Sequence, residues 1–342
     1  MAPGKMKALV FRQPGSRLEL TELDIPQPVK RQVRIKVEAC GICHSDVLVQ
    51  NNDFGNVEYP RVPGHEVVGT IEAVGPDVEG WSLGQRVGVG WDGGHCFRCP
   101  PCREGKFACC QNLKITGFSY NGGYAEYMVA PYEALAALPP ELGFAEAAPL
   151  LCAGVTTFNA LRNSGARPGD VVAIQGIGGL GHLGVQFASR AGFHTVAISR
   201  GAESEKRARE LGARTYINTE TQDPVRELKA LGGAKAILAT APNAKAMSAL
   251  VDGLGVDGRL MVIGADSEKI GMSPAQLIFR RSGVIGWAGG HSRDSEDTVR
   301  FCAMTGVRPM IETFPIENGA AAYDRMLSGK AKYRAVIVMG KP

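Results

Sequence analysis

The chain has 342 residues, more than one hydrophobic core usually organises, which predicts two domains. Apolar residues make up 44% and charged residues 21% of it, as in ordinary globular proteins, so a disordered or fibrous chain is excluded. The net charge is only +4 without a basic run, and no stretch of about 18 apolar residues occurs. We therefore expect a cytoplasmic protein that binds neither nucleic acid nor a membrane. Two counts are unusual: 44 glycines and nine cysteines.

The first 150 or so residues predict a small β-rich domain. Short strand-like runs at 8–11, 33–37 and 67–74 are separated by Gly and Pro.

Three candidate metal ligands are dispersed through this part of the chain. Cys43 lies in the segment CGICHSD, His65 precedes a glutamate, and Cys152 stands in an apolar run. Alone, Cys152 is equally compatible with a small buried apolar residue and His65 with an ordinary hydrogen-bonded histidine. Together, two cysteines and a histidine form the ligand set of a catalytic zinc whose fourth position stays open.

A dense cysteine cluster follows, since five of the nine cysteines lie between residues 96 and 110. Cys96, Cys99 and Cys102 are separated by two residues each, and a fourth sulfur follows from Cys109 or Cys110. This spacing predicts a closed structural zinc site; the alternative, a disulfide cluster, conflicts with a reducing cytosol. The turn residues of the segment predict that it is neither helix nor strand: Gly93, Gly94, Pro100, Pro101 and Gly105.

A dinucleotide-binding unit is predicted next. A buried strand at 170–175 leads into a G-x-G-x-x-G turn, a helical pattern that ends at Gly192, and a second strand at 195–199. Such a turn lets the backbone approach a pyrophosphate, the alternative being a purely structural turn. The residues expected around the phosphates are Gly176, Gly178, Gly179, Leu180 and Gly181.

The end of the second strand bears on cofactor choice. An acidic residue there favours NAD, whereas a nearby Arg accommodates the 2′-phosphate of NADP. The chain has Ser199 and Arg200 at this point, with Lys206 soon after and no acid at the tip. This predicts NADP(H) over NAD(H), unless Arg200 is only a solvated surface charge.

Strand and helix patterns continue to alternate beyond this point. Helices are predicted at 207–211 and 246–254, and strands at 236–239, 259–264 and 283–286. The fold class is therefore α/β, a doubly wound parallel sheet of the Rossmann type joined to a β-rich domain.

The whole chain resembles the zinc-containing medium-chain alcohol dehydrogenases, especially the microbial tetrameric and cinnamyl-alcohol-type members. The resemblance rests on residues 41–46, 63–69, 84–87, the cysteine cluster, 152–156 and 176–181. It implies a GroES-like catalytic domain of residues 1–154 and 291–342 and a Rossmann domain of residues 155–290. It also implies a homodimer or homotetramer that binds its substrate between the two domains.

The resemblance implies a role for individual residues of the catalytic zinc site. Cys43, His65 and Cys152 would be the zinc ligands, Glu66 an alternative ligand, and Asp46 the carboxylate that orients His65. In the cysteine cluster it selects Cys110 and leaves Cys109 aside.

Further roles concern the proton, the cofactor and the substrate. Ser45 would bind the substrate oxygen and begin the proton relay, while His44 and Arg334 would contact the cofactor pyrophosphate. The pocket would be lined by Phe54, Trp91 and Trp287, each of which is alternatively a core aromatic residue. Leu48 stands where many relatives have a relay histidine. The proton would then leave through the ribose and water, or with help from His44.

The implied activity is interconversion of primary or secondary alcohols with aldehydes or ketones, using two zinc ions per chain and a nicotinamide cofactor. A zinc polyol dehydrogenase usually lacks a complete cysteine cluster. A quinone-reductase-like enzyme has no need of Cys43, His65 and Cys152 together. A non-catalytic NADPH-binding protein is the alternative outside enzymes.

Overall fold

The structure is a computed structural model that describes residues 4–340. The chain forms two compact units, Met1–Val155 with Gly290–Pro342 and Thr156–Gly289. The sequence predicts domain boundaries after residues 154 and 290, each one residue away from a boundary of the compact units. Residues 1–3 and 341–342, which the sequence assigns to the catalytic domain, lie outside the described range.

The helices and strands alternate along the chain from a β-rich beginning to a mixed end. In chain order they are β1 Lys5–Val10, β2 Glu19–Asp24, β3 Gln32–Gly41, α1 Asp46–Asn51, β4 Val67–Val74, β5 Arg86–Val89, α2 Pro100–Arg103, β6 Tyr127–Pro131, β7 Leu135–Ala137, α3 Phe144–Ala147, α4 Ala153–Arg162, β8 Val171–Gln175, α5 Gly181–Arg190, β9 His194–Ser199, α6 Gly201–Glu210, β10 Thr215–Asn218, α7 Pro224–Ala230, β11 Ala234–Ala239, α8 Ala244–Leu250, β12 Leu254–Val262, α9 Pro274–Ile278, β13 Gly283–Gly286, α10 Ser292–Thr305, β14 Ile311–Pro315, α11 Gly319–Leu327 and β15 Arg334–Val338.

The first unit is built on a seven-stranded sheet in the order β14-β15-β3-β4-β5-β7, with β6 also paired to β3. β3 shows why the sequence forms a half-buried strand: Val33, Ile35 and Val37 alternate with less buried residues and enter the core. Its neighbours β4 and β15 both run antiparallel to it. The end of β3 and the beginnings of β4 and β15 therefore meet at one edge of the sheet.

The second unit is a six-stranded, fully parallel sheet in the order β10-β9-β8-β11-β12-β13. β8 lies centrally, and four of its five residues are buried, as expected for a strand covered on both faces. The predicted doubly wound parallel sheet is thus confirmed. The carboxyl ends of β8 and β9 lie side by side, where such sheets bind nucleotides.

Several local predictions were wrong or incomplete. The cysteine segment contains the helix α2, because Pro100 and Pro101 occupy its first turn, where no backbone N–H is needed. Helix α6 begins at Gly201, not at 207; Ala208 is its one buried residue, so it has little apolar periodicity. Leu254 begins β12 and does not end a helix. Several elements were not predicted, among them β10, α7 and α9.

Among residues 4–340, no single helix is long and apolar enough to cross a membrane. One bent pair, Phe144–Leu151 with Ala153–Arg162, meets the length and composition criteria only when its two parts are taken together.

Candidate active site

The clustered cysteines form a compact set of four sulfurs. The Sγ atoms of Cys96, Cys99, Cys102 and Cys110 all lie within 4.8 Å of one another. Cys110 Sγ is 3.6 Å from Cys96 Sγ and 3.9 Å from Cys99 Sγ. Ligands about 2.3 Å from a tetrahedral zinc ion lie about 3.8 Å apart, whereas bonded sulfurs are about 2.05 Å apart. The geometry therefore fits a metal and not disulfides, while Cys109 is exposed outside the set.

The charges of these thiols also fit a cation. Backbone hydrogen bonds at Arg98 and Cys99 lower the pKa of Cys96 to about 5, while burial raises the pKa of Cys102 to about 12. Without a central positive charge the four sulfurs do not all ionise near neutral pH, and a bound zinc ion would supply that charge.

The dispersed ligands also come together, at the sheet edge where β3, β4 and β15 meet. Cys43 follows β3, His65 and Glu66 precede β4, and Cys152 precedes α4. One ligand atom from each lies within 4.8 Å of the others, and Cys43 Sγ is 3.8 Å from Cys152 Sγ. This is again the separation of two sulfurs on one zinc ion.

Asp46 fixes the orientation of His65. His65 Nδ1 donates to Asp46 Oδ1 over 3.1 Å, and both residues are buried. This bond leaves the lone pair on Nε2, which has no hydrogen-bond partner among the described residues. A desolvated ring nitrogen without a partner is costly, and a metal ion beside it removes that cost. The set of Cys43, His65, Glu66 and Cys152 therefore fits a zinc ion.

Electrostatic coupling links the two thiols of this set. The hydrogen bond from Cys152 lowers the pKa of Cys43 well below its usual range, although burial of the thiol opposes this effect. The same contact raises the pKa of Cys152. One sulfur is thus a ready thiolate, and the second becomes one when a cation is present.

Glu66 and Arg334 form a buried ion pair beside the ligands. Arg334 Nη2 donates to Glu66 Oε1, and Glu66 Oε2 has no partner among residues 4–340. Burial raises the pKa of Glu66 to about 7 against the opposing charge of Arg334. The sequence suggested only a cofactor contact for Arg334 and missed this pair, which joins residues 268 positions apart. Its contact with cofactor stays a prediction.

Ser45 and His44 stand at the start of α1. Ser45 is half-buried and occupies the N-cap position, yet its side chain makes no capping hydrogen bond, which leaves the hydroxyl available to another partner. His44 is exposed, and Leu48 is half-buried in the same helix.

The predicted pocket aromatics are divided between the two units. Trp91 packs edge-on against His65 with ring centroids 4.9 Å apart, while Phe54 is mostly exposed and contacts Phe118 at 5.1 Å. Both belong to the first unit, and Trp287 belongs to the second.

Tyr124 is a residue of this site that the sequence did not indicate. It is fully buried, and its hydroxyl donates to Asp46 Oδ2 over 2.7 Å. The two residues are 78 positions apart, so no local motif signals the contact.

The second unit has a cavity of about 530 Å³ at the ends of β8 and β9. Its lining includes Gly176, Gly178, Ser199 and Arg200. Gly181 explains the tight turn beside it, since a Cβ there would lie 1.8 Å from the Gly176 carbonyl oxygen. Lys206 is exposed on α6 and is not part of this lining.

Known proteins share these features. Residues 29–140 match the alcohol dehydrogenase GroES-like domain, and residues 179–304 match the zinc-binding dehydrogenase domain. An alcohol dehydrogenase, notN, of an Aspergillus species is 43% identical over 98% of this chain and 99% of its own length.

Solved structures of alcohol dehydrogenases are similar to this chain over nearly its full length. A cinnamyl alcohol dehydrogenase from Sorghum bicolor has a TM-score of 0.88 and 29% identity, with 99% of this chain and 100% of that chain covered. CAD from Helicobacter pylori, solved in complex with NADP(H), has a TM-score of 0.85 and 25% identity over 99% of each chain. The chain therefore belongs to the zinc-containing medium-chain alcohol dehydrogenases and is an oxidoreductase of that family.

Proposed function

We propose that the protein is a zinc-dependent alcohol dehydrogenase that interconverts primary or secondary alcohols with aldehydes or ketones and favours NADP(H) over NAD(H). The observation that carries the proposal is the convergence of Cys43, His65 and Cys152, where the buried His65 Nε2 has no hydrogen-bond partner among residues 4–340. Two sulfurs and one imidazole are the protein ligands of a catalytic zinc with an open position for substrate.

Two zinc ions per chain are proposed. The dispersed ligands hold the catalytic ion, with Glu66 close enough to act as an alternative ligand. The closed set of Cys96, Cys99, Cys102 and Cys110 holds the second ion, which stabilises the fold because no position is left for substrate.

The residues of the chain divide the catalytic work. When bound, the catalytic zinc supplies Lewis acidity toward the substrate oxygen, and the nicotinamide accepts or donates the hydride. Ser45 accepts the hydroxyl proton of the alcohol substrate and passes it on, because its own hydroxyl is not used to cap α1. With Leu48 in place of a relay histidine, the proton leaves through the cofactor ribose and water, or with help from the exposed His44.

The cofactor preference rests on the cavity of the second unit. Ser199 and Arg200 are part of its lining, and none of the lining residues is acidic. A guanidinium and a hydroxyl bind a 2′-phosphate, which a carboxylate would repel. The nearby acid Glu220 is not part of the lining; its Oε2 lies 3.9 Å from the place where a Cβ at Gly201 would be.

Steady-state kinetics with an aromatic aldehyde and either NADPH or NADH test the proposal. We expect turnover with both nucleotides, a higher kcat/KM with NADPH, and a reversal of this preference in Ser199→Asp. A stronger NADPH preference in Ser199→Asp would refute the charge argument. Absence of turnover in a protein with two zinc ions would favour a non-catalytic NADPH-binding protein.

A further inference from the structure

We propose that Tyr124 is a positioning residue of the zinc centre, which holds the ligand His65 in place through Asp46. The inference rests on the proposed catalytic zinc site and extends it by one residue. It concerns a side chain that lies behind the ligands and touches neither substrate nor cofactor.

The first step is the hydrogen bonding of Asp46. This carboxylate is fully buried and accepts four hydrogen bonds. Oδ1 accepts from His65 Nδ1 over 3.1 Å and from the Gly64 backbone N–H over 3.3 Å. Oδ2 accepts from the Cys43 backbone N–H over 3.1 Å and from the Tyr124 hydroxyl over 2.7 Å. The hydroxyl bond is the shortest of the four and the only one from a side chain on Oδ2.

The second step is the arrangement of these donors. Two come from the peptides of the ligand segments themselves, at Cys43 and just before His65. Tyr124 is the donor from outside those segments, since it lies shortly before β6. It therefore anchors the carboxylate, and with it the His65 ring, to a segment that carries no ligand. An outer hydrogen bond of this kind fixes the tautomer and direction of a metal-bound histidine.

The third step is the packing that fixes the hydroxyl. Tyr124 is among the largest fully buried side chains, and its backbone N–H donates to the Pro63 carbonyl oxygen over 3.1 Å. Its ring lies so close to Gly64 that a Cβ there would come within 2.4 Å of it. The ring is thus held against the residue that precedes His65, and the hydroxyl has one direction open to it.

The test measures affinity for the catalytic metal and not turnover alone. Purified zinc-loaded protein is titrated with a chromophoric chelator, and the catalytic ion is identified as the one absent from Cys152→Ser. Because outer-shell partners contribute about 10–100-fold to metal affinity, we expect Tyr124→Phe to lower the affinity of the protein for this ion by about tenfold. The cysteine-cluster ion should be unaffected. In the cobalt-substituted protein, Tyr124→Phe should also shift the visible bands of the catalytic ion.

The matched control is Tyr323→Phe. Tyr323 is also a buried tyrosine of the first unit, and its hydroxyl donates to Gln50 Oε1 over 3.0 Å, outside the ligand set. This variant should bind the catalytic ion with wild-type affinity. Equal weakening in Tyr124→Phe and Tyr323→Phe would make the effect a general consequence of losing a buried hydroxyl and would overturn the proposal.

A double-mutant cycle with Asp46→Asn shows whether Tyr124 acts through Asp46. The single variant Asp46→Asn should weaken the catalytic ion by about 10–100-fold, and adding Tyr124→Phe should change the affinity less than about twofold. A full additional loss in the double variant, or wild-type affinity in Asp46→Asn alone, would overturn the proposal. The second result does not require that Tyr124→Phe folds. A wild-type protein without a Cys152-dependent ion would refute the proposed zinc site as well.

Discussion

The buried ion pair between Glu66 and Arg334 predicts a large and specific stability effect. Glu66 is fully buried and Arg334 is 6% exposed, so neither charge is compensated by water. Replacing Arg334 with Met keeps much of the volume and removes the guanidinium that forms an ion pair with the Glu66 carboxylate. Removing one partner of a buried pair typically costs about 3–5 kcal/mol.

From the size of the first unit, this free energy can be expressed as a shift in melting temperature. For a unit of about 200 residues, each kcal/mol corresponds to about 2–4 °C, so Arg334→Met should melt about 6–20 °C below wild type. The measurement is differential scanning calorimetry of zinc-loaded protein at about pH 9, above the Glu66 pKa of about 7, so that the wild-type carboxylate is ionised. The double variant Arg334→Met with Glu66→Gln contains neither charge and should recover most of the loss.

Two results would contradict this reasoning. A shift of less than about 2 °C in Arg334→Met would mean that solvent reaches Glu66. A double variant no more stable than the single one would show that the loss comes from packing and not from charge. Cofactor titration of the double variant adds a second readout. If Arg334 also binds a cofactor phosphate, the Kd should rise about tenfold or more, the usual effect of losing a charged hydrogen bond.

Three further predictions concern separate parts of the molecule. Cys152→Ser should reduce turnover below about 1% of wild type with little change in melting temperature, whereas Cys99→Ser should lower the melting temperature by at least about 5 °C. Equal activity loss in both variants without a change in melting temperature would refute the assignment of one catalytic and one structural site. Ser45→Ala should lower kcat by about 10²-fold or more at unchanged zinc content, and a parallel loss of zinc would assign Ser45 a structural role instead. Gly181→Ala should raise the cofactor Kd by about tenfold or more in a fluorescence titration, because its Cβ would lie 1.8 Å from the Gly176 carbonyl oxygen; wild-type affinity would mean that the turn adjusts without cost.

The sequence predicts the strands of this protein better than its polar helices. β4 and β13 have the predicted bounds, and β8 differs by one residue, because their apolar runs are bounded by Gly and polar residues. Helix α6 was predicted only in part, since a polar surface helix contributes almost no hydrophobic periodicity. The cysteine segment conceals α2 because two prolines at a helix start look like a turn.

The candidate site shows the same division between local and long-range information. The ligand residues Cys43, His65 and Cys152 were chosen from short motifs, and the structure brings their ligand atoms together. The residues that contact these ligands could not all be predicted from short motifs. Tyr124 and Arg334 contact the site only because β15 and the segment before β6 are arranged around β3 and β4, and strand order is not encoded in any short motif.

The strand order also explains why the first unit needs both of its chain segments. β15 belongs to the segment after residue 290, and it pairs with β3 so that Val336 lies opposite Gly41. This pairing carries Arg334 to the buried carboxylate of Glu66, with which it forms an ion pair. The segments that supply Cys43, His65 and Cys152 precede the second unit, yet the charge that stabilises their surroundings comes from the segment after it. Completing the ligand environment therefore depends on the return of the chain, which couples the integrity of the proposed zinc centre to the folding of the last strand.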